Sequence, residues 1–463
     1  MGSHSHLVAA VGRTVDAVAN VFSGCLLLFS VAFVAYGVSL DCNVAELGGA
    51  IPEAVLLLLA LLLLYVAEGF QVGLLGVRHM TAENMAATPK ALAIKHLIFP
   101  ENVETNYLSH LFLGQSFLVV LASFLIAKMT TFSTFPSVSG CPSWVVHVLV
   151  RSGLPGVIMT VNLAQLLPST QAQRNPSLWL NSTYGVYSAV RLSILLSQSG
   201  LLHCTYAICA VLEVLVFRTQ SCRGYFPMTD VEDNSSSNGE EGAKGCAGDG
   251  SCLYRLMVGA SSLIWGASVV FLCYNIAQGR SLLSSLLQPV LIIFLVLATW
   301  LVVFYCEGLK VAIVGSSALT RSQYLAQDLP AAVYNALHSR GQKEQETEGA
   351  SSSIDDKEDV AKFLLGRQMI VVPCGFLLSN LFHFSGYGNG VLGFLLVGLG
   401  LPGMLATMQL AQLAPQVLAG RNDRAFLGLP LAALLVRFAL CIEKLGLTRS
   451  AFLLSRALSP APQ

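Results

Sequence analysis

The stretch GLPGVIMTVNLAQLLPSTQAQRN at residues 153–175 recurs as GLPGMLATMQLAQLAPQVLAGRN at residues 400–422. Glycine, proline, threonine, glutamine and arginine return at the same places in both copies, so the similarity goes beyond shared hydrophobicity. Similarity of this kind within one chain is the signature of an internal repeat. The duplication of this segment predicts that further pairs lie elsewhere in the chain.

Four other pairs follow in the same order along the chain, and five ordered matches are too many for chance. We therefore expect one complete copy in residues 1–217 and a second in residues 253–463, joined by a polar linker at 218–252. The four pairs are SVAFVAY (30–36) with SVVFLCY (268–274), AEGFQVGLLG (67–76) with CEGLKVAIVG (306–315), FLGQSFLVV (112–120) with LLGRQMIVV (364–372), and VRLSILLSQSGL (190–201) with VRFALCIEKLGL (436–447).

The composition predicts a membrane protein. Of the 463 residues, 54% are hydrophobic and 11% are charged, whereas an ordinary soluble domain has about 25% charged residues. So few charges cannot cover the surface of a chain of this size unless the lipid bilayer covers much of it. The formal net charge is zero and no basic block is present, so we expect no nucleic-acid partner.

The apolar runs predict an all-α polytopic membrane protein with about ten transmembrane helices. Because each copy holds five spans, an odd number, the second copy enters the membrane from the opposite side, which predicts a 5+5 inverted repeat. A second polar stretch, near 340–360, is expected to be a disordered loop like the linker. The predicted spans lie near 17–40, 51–77, 107–129, 145–167, 187–217, 255–277, 286–315, 361–383, 390–414 and 426–447.

Ionisable residues inside two of these spans form the first candidate site. Glu68 and Gln71 are three residues apart and share a helix face, and Glu307 and Lys310 repeat the spacing. Ionisable groups within a membrane are costly and usually functional. A glycine follows each glutamate and predicts a backbone hinge whose carbonyls, with the carboxylate, bind sodium. The alternative is that each glutamate lies at a helix end and reaches water. The two hinge glycines are Gly69 and Gly308.

A second pair of motifs, GQS at 114–116 and GRQ at 366–368, contributes further candidates. Arginine donates several hydrogen bonds and glutamine both donates and accepts, which suits a small neutral solute rich in hydroxyls. Helix packing through the glycines is the alternative. The candidate residues are Gly114, Gln115, Gly366, Arg367 and Gln368.

Other repeated residues are secondary candidates. The GLPG sequences contain Pro155 and Pro402, and proline within a span predicts a kink that is either a gating hinge or a plain bend. The repeated glutamines and arginines either contact substrate or act as structural clamps. They are Gln165, Gln412, Arg191 and Arg437.

Motifs for catalysis and cofactors are missing from the sequence. GNGVLG at 388–393 fits GxGxxG, but it links two predicted membrane helices and follows no strand. There is no Walker loop, HExxH or GxSxG. We therefore expect a protein that is not an enzyme and has no cofactor.

EGFQ at 68–71, its counterpart EGLK at 307–310, and GRQ at 366–368 resemble the paired EGxQ and GxQ signatures of the diatom-type silicon transporter family. The resemblance covers the chain from the first span to the tenth. It implies two five-span halves and sodium-coupled uptake of silicic acid, with sodium as the coupling ion. The motif residues carried over are Glu68, Gly69, Gln71, Gly114, Glu307, Gly308, Gly366, Arg367 and Gln368.

The chain departs from the family pattern at two positions. Lys310 stands where the pattern has glutamine. Ser116 also stands at a glutamine position of the pattern, and Gln115 is its neighbour in the chain. Lys310 can pair with Glu307 and occupy a cation position, so we expect sodium to bind chiefly near Glu68.

These observations favour a sodium-driven symporter for silicic acid, and we expect it in the plasma membrane. One alternative keeps the architecture and carries borate, a polyol or another small hydroxylated solute. Another is a passive channel or a membrane sensor. The duplication and the polar residues inside the spans are common to all three.

Overall fold

The computed structural model is helical throughout the residues it describes, apart from turns and an isolated β-bridge between Ser281 and Phe384. It describes residues 2–40, 49–77, 80–81, 83–99, 107–132, 152–217, 247–285, 287–316, 330–337, 352–384, 393, 396 and 400–458.

The first half contains long apolar helices followed by shorter ones. Two segments, Thr160–Leu166 and Glu213–Phe217, have π-helical geometry, and Glu83–Met85 forms a 3₁₀ turn. The α-helices are α1 (Gly2–Ser39), α2 (Ala50–Val77), α3 (Pro89–Ile98), α4 (Tyr107–Thr130), α5 (Leu154–Met159), α6 (Leu167–Arg174), α7 (Pro176–Ser182), α8 (Val186–Gln198) and α9 (Cys204–Leu212).

The second half repeats this order of elements. Its π-helical segment is Met408–Leu413, and a 3₁₀ turn occupies Leu282–Ser285. The α-helices are α10 (Ala247–Ala277), α11 (Pro289–Ser316), α12 (Ala331–Leu337), α13 (Ser352–Leu381), α14 (Leu401–Thr407), α15 (Ala414–Arg421), α16 (Asp423–Leu427), α17 (Ala432–Lys444) and α18 (Arg449–Leu458).

Equivalent helices make equivalent contacts in the two halves. In the first half α4 packs between α2 and α8, and in the second α13 packs between α11 and α17. The halves meet where α4 contacts α13. A buried hydrophobic core that includes Phe70, Trp179, Trp300, Phe382 and Met404 joins residues from both halves. This core holds α2, α4, α11 and α13 together around the centre of the molecule.

Within the part of the chain that the structure describes, six helices are long and apolar enough to cross a membrane, judged by length and composition. Each falls on one of the predicted spans at 17–40, 51–77, 107–129, 255–277, 286–315 and 361–383. The observed segments are Ala17–Ser39, Ala50–Val77, Leu111–Thr130, Tyr254–Ala277, Pro289–Ser316 and Asp359–Leu381.

The predicted spans at 145–167 and 390–414 lie partly outside the described residues. Where the structure describes them, helices begin at Leu154 and Leu401 and run through π-helical segments. Pro155 and Pro402 stand in the first turn of these helices, where proline has no intrahelical hydrogen bond to break. A hinge or bend at the GLPG sequences stays a prediction.

The predicted spans at 187–217 and 426–447 are not continuous helices. The first is divided into α8 and α9, and the second covers α16 and α17, with α18 following after a turn. The turns contain Gly200 and Gly446, whose φ angles of +79° and +74° lie in the left-handed region. Glycine adopts this conformation without a steric penalty, so it ends α8 and α17.

Most of the predicted linker at 218–252 and much of the predicted loop at 340–360 lie outside the described residues. At their ends, however, the chain is helical, because α10 begins at Ala247 and α13 begins at Ser352. For these end residues the prediction of a disordered segment is wrong.

The outer faces of the long helices are apolar. On α11 the exposed side chains include Leu291, Phe294, Leu297 and Leu301, which recur every three or four residues along one face. The corresponding helix α2 exposes a leucine- and valine-rich face in the same way. Contiguous apolar surface of this extent is stable against lipid and not against water.

The last helix of each half packs on the other half. Helix α9 contacts α10, α15 and the π-helical segment Met408–Leu413, whereas α18 contacts α1, α6 and the π-helical segment Thr160–Leu166. The turns that precede α9 and α18 are held by matching serines on the opposite half: Ser261 donates to the carbonyl of Leu201, and Ser23 donates to that of Leu447. The two halves are therefore interlocked.

Candidate functional site

Polar side chains from both halves line a single cavity at the centre of the molecule. Its volume is ≈ 40 Å³, which is room for about three water molecules at roughly 10–15 Å³ each. Of the sequence-predicted candidates, the structure brings together Glu68, Gln71, Gln115, Gln165, Glu307, Lys310, Arg367, Gln368 and Gln412.

In the second half, both carboxylate oxygens of Glu307 accept hydrogen bonds. Glu307 Oε1 accepts a hydrogen bond from Arg367 Nη1 at 2.8 Å, and its Oε2 accepts one from Gln416 Nε2 at 2.8 Å. Arg367 is 2% exposed, so this is a buried ion pair between α11 and α13. A buried charge persists when it is paired and hydrogen-bonded in this way.

In the first half, by contrast, the hydrogen bonds go to Gln71. Gln71 Oε1 accepts from Lys310 Nζ at 3.1 Å and from Gln115 Nε2 at 3.4 Å. Gln115 also donates to the carbonyl of Ala67 at 3.2 Å. Lys310 thus contacts the first-half amide, which differs from the predicted pairing of Lys310 with Glu307.

Glu68 has a different environment from Glu307. Its side chain lines the cavity and the residue is 6% exposed. None of the described residues donates a hydrogen bond to its carboxylate. The residue lies within α2, well before the end of the helix at Val77. The alternative in which it reaches water at a helix end therefore does not apply.

Two residues that line the cavity each carry a buried atom that has no hydrogen-bond partner among the described residues. The two atoms are Oε1 of Gln165, an acceptor, and Nε of Arg367, a donor. Gln165 is 3% exposed. An unpartnered buried polar group costs about 1–3 kcal/mol, so a bound solute that pairs with both atoms recovers that energy.

The predicted glycines serve helix packing. A Cβ atom on Gly114 would lie 1.8 Å from the carbonyl oxygen of Ser193, and one on Gly366 would lie 1.8 Å from that of Ala439. These glycines therefore face α8 and α17, and neither lines the cavity. Their placement agrees with the alternative interpretation of the GQS and GRQ motifs as packing sites.

The expected backbone break at Gly69 and Gly308 is not present, since α2 and α11 run unbroken through both positions. A Cβ atom there would come within 2.1 Å of Trp179 and 2.0 Å of Phe426, respectively. Glycine at these positions lets an aromatic ring lie directly on the helix backbone. A hinge role for either residue stays a prediction.

The repeated arginines lie away from the cavity. Both are exposed, and Arg191 stacks over the ring of Tyr187 at 4.6 Å. Arg437 lines a separate pocket with Asp359, Lys362 and Glu443. Pro155 and Pro402 also lie outside the cavity wall. Among the secondary candidates, the glutamines line the cavity and the arginines do not.

Sequence reasoning did not select Gln416, which holds Glu307, nor Ser123 and Thr407, which line the cavity. Gln416 aligns with Ser169 in the repeat, so a search for identical pairs passes over it. Its spacing of four residues from Gln412 places it on the same helix face. That spacing is the sequence feature from which Gln416 could have been predicted as a site residue.

The helices and the cavity define a class of protein. Six apolar helices of membrane-spanning length, lipid-compatible outer faces and a buried polar cavity are the features of an integral multi-pass membrane protein. The family model for silicon transporters matches residues 11–459. The chain belongs to the silicon transporter family, which makes it a transporter of silicon compounds. No curated protein and no solved structure matches the chain.

Proposed function

We propose that this protein is a secondary active transporter that couples sodium entry to the uptake of silicic acid across the plasma membrane. One observation carries the proposal. A cavity of ≈ 40 Å³ at the interface of the two halves is lined by Gln165, which carries a buried acceptor, and by Arg367, which carries a buried donor, and neither atom has a partner among the described residues. Silicic acid is small and neutral, and each of its hydroxyls donates and accepts a hydrogen bond.

The charges of the cavity support a neutral substrate. Two carboxylates, Glu68 and Glu307, face two cations, Lys310 and Arg367, so the formal charges cancel. A neutral solute entering this site does not leave an uncompensated charge in the membrane. Amides of Gln368 and Gln412 in the same wall supply further donors and acceptors that replace the water lost by the solute.

The Glu68 carboxylate supports sodium as the coupling ion. It lines the cavity and receives no hydrogen bond from the described residues, so no protein donor has to leave the carboxylate when a cation binds. Gln165, whose Oε1 has no partner among the described residues, lines the same cavity. Carboxylate and amide oxygens are the ligands that hard cations prefer. Sodium that binds only one conformation shifts the equilibrium toward it and drives the cycle.

The paired contacts of the two halves support a 5+5 inverted repeat. In this arrangement the α5–α6 and α14–α15 segments count as the fourth and ninth spans, and the short helices after them complete each half. Rocking of one repeat against the other then opens the central cavity to one side of the membrane at a time.

Uptake of labelled silicic or germanic acid into proteoliposomes, with and without an inward sodium gradient, tests the proposal. We expect saturable uptake that exceeds equilibrium only while the gradient lasts. Uptake that is neither saturable nor gradient-dependent indicates a channel, and stronger competition by borate or a polyol indicates another cargo. Binding of silicic acid without flux identifies a sensor.

A pair of variants tests the sodium site. Glu68→Gln should abolish uptake above equilibrium, because it removes the charge that attracts sodium. Glu83→Gln makes the same chemical change at an exposed position outside the cavity and should leave uptake unaltered. Sodium-driven accumulation by Glu68→Gln at the wild-type level contradicts the site.

A further inference from the structure

The two cavity carboxylates occupy matching positions in the repeat but have different partners. Glu307 is held at 2.8 Å by both Arg367 and Gln416. Its counterpart Glu68 lines the same cavity without a hydrogen bond from any described residue. The backbone around both is regular helix, so the difference arises in the side chains that face them.

Two amino-acid differences between the repeats account for this asymmetry. The position of Arg367 in GRQ is filled by Gln115 in GQS, and the position of Gln416 is filled by Ser169. Gln115 directs its amide to Ala67 and Gln71 instead of Glu68. Ser169 is too short to do what Gln416 does, and its hydroxyl donates to the carbonyl of Gln165 at 2.7 Å.

Lys310 does not remove the asymmetry. Its ammonium group donates to Gln71 Oε1 at 3.1 Å, an amide rather than a carboxylate. Among the described residues, Glu307 therefore has a permanent cation at hydrogen-bond distance, and Glu68 has none.

We infer that Arg367 is a tethered cation that permanently occupies, in the second half, the role that a mobile sodium ion fills at Glu68 in the first. Arg367 thereby limits the transporter to one coupling-ion site per cycle. The inference rests on the proposed sodium coupling and adds the residue that determines how many ions are used.

Exchange of the two residues tests the inference in opposite directions. Gln115→Arg places a guanidinium beside Glu68, and we expect uptake that no longer exceeds equilibrium and no longer depends on sodium. Arg367→Gln leaves Glu307 without its cation, and we expect a second sodium ion to bind. The sodium dependence of initial uptake should then become sigmoidal, with a Hill coefficient above that of wild type.

Two further variants control for charge and folding. Arg255→Gln removes an exposed arginine on α10 that lies outside the cavity, and its sodium dependence should match wild type. The double variant Glu307→Gln/Arg367→Gln removes both members of the pair, so no second ion is required and the Hill coefficient should return to the wild-type value.

A binding measurement separates ion binding from transport. The thermal stability of the purified protein is measured without silicic acid, in sodium chloride and in choline chloride at equal ionic strength. A ligand that binds only the folded state raises Tm. We expect sodium to raise the Tm of wild type, to have no effect on Gln115→Arg, and to raise the Tm of Arg367→Gln over a steeper concentration range.

The outcomes distinguish this inference from the proposed function. A sodium-dependent wild type with unchanged sodium dependence in Arg367→Gln overturns the inference and leaves the proposed function standing. Sodium-driven accumulation by folded Gln115→Arg does the same. If Arg367→Gln does not fold, Gln115→Arg and the double variant decide. A wild type without any sodium effect overturns the proposed coupling and the inference together.

Discussion

Two glycines allow neighbouring helices to touch through their backbones. Gly114 on α4 lies against the carbonyl of Ser193 on α8, and Gly366 on α13 lies against that of Ala439 on α17. At 1.8 Å from the carbonyl oxygen, an added Cβ atom has no room and the helices must move apart. Because α4 and α13 also carry Gln115 and Arg367, this close packing sets where the cavity side chains lie.

We therefore predict that Gly366→Ala lowers stability through packing. Overpacking typically costs about 1–3 kcal/mol, and a clash with backbone, which cannot change rotamer, belongs at the upper end. Gly266→Ala is the matched control, because an added Cβ there meets nothing within 4 Å. Thermal unfolding in detergent should show a lower Tm for the first variant and an unchanged or higher Tm for the second. Equal Tm values would contradict the packing role.

Gln165 is predicted to bind substrate through its unpaired carbonyl oxygen. Gln165→Leu keeps much of the volume but removes the acceptor, so the apparent KM for silicic acid should rise about 10-fold, equivalent to about 1.4 kcal/mol. Gln173→Leu changes an exposed glutamine on α6 and should leave KM unchanged. An unaltered KM in Gln165→Leu, with a normal Tm, excludes the contact.

At the scale of single residues, the repeat predicted which polar residues line the cavity better than it predicted which face of a helix each residue occupies. Glu68, Gln71, Glu307 and Lys310 could be selected because both copies keep polar residues inside apolar spans, which is costly unless they have a use. The same logic also selected the glycines beside them. A short motif cannot separate a residue that lines a cavity from its neighbour that packs on a helix, since they lie on different faces only in three dimensions.

The π-helical segments are the irregular elements nearest the cavity. Thr160–Leu166 and Met408–Leu413 carry Gln165 and Gln412, which line it. A proline follows shortly after each segment, at 168 and 415. Proline cannot donate to the preceding turn and its ring displaces the carbonyl there, which is a physical cause for the wider helix. The irregularity therefore arises from these prolines and not from the GLPG sequences.

These segments also hold α9 and α18, the helices that pack on the opposite half, through hydrogen bonds from buried amides. Asn162 Nδ2 donates to the carbonyl of Leu447 at 3.3 Å, and its Oδ1 accepts from Ser450 at 2.7 Å. In the other half Gln409 Nε2 donates to the carbonyl of Leu201 at 3.1 Å. The Oε1 of Gln409 is buried without a partner among the described residues. The contact to α18 is thus more complete than the contact to α9.

We predict that Asn162→Leu destabilises the protein more than Gln409→Met does. Hydrogen bonds between membrane helices are worth about 0.6 kcal/mol on average and up to about 1.7 kcal/mol. Asn162 loses two links to the second half, whereas Gln409 loses one and also sheds an unpaired buried oxygen. Thermal unfolding of both variants measures the difference. A larger loss of Tm in Gln409→Met than in Asn162→Leu would contradict this ranking of the two contacts.

The sequence predicted the ends of the long helices better than the breaks between the short ones. Uninterrupted apolar runs predicted α2 and α11 closely, because such a run has one stable backbone conformation in lipid. The divisions before α9 and α18 were missed, since the residues around Gly200 and Gly446 remain apolar on average. The left-handed φ angles that end α8 and α17 depend on two residues, which a long hydropathy window does not resolve.

At the scale of the whole molecule, the interlocked halves bring the cavity residues together. Each half ends in a helix that packs on the other, and α4 meets α13 at the centre. The sequence predicted two copies with boundaries near 217 and 253, which suggests separable units. It could not predict that α9 and α18 each pack on the other half, because this packing depends on contacts between residues more than two hundred positions apart, such as Ser23 with Leu447.

An inverted repeat predicts that equivalent positions of the two halves face opposite sides of the membrane. Glu83 lies between α2 and α4, and Ala332 lies between the corresponding helices α11 and α13; both are exposed. A protease site inserted beside Glu83 should be cut from one side of sealed, uniformly oriented vesicles, and a site beside Ala332 only from the other. Detergent should make both accessible, which controls for folding. Cleavage of both sites from the same side would mean a parallel repeat, and the two halves could not alternate access by exchanging equivalent conformations.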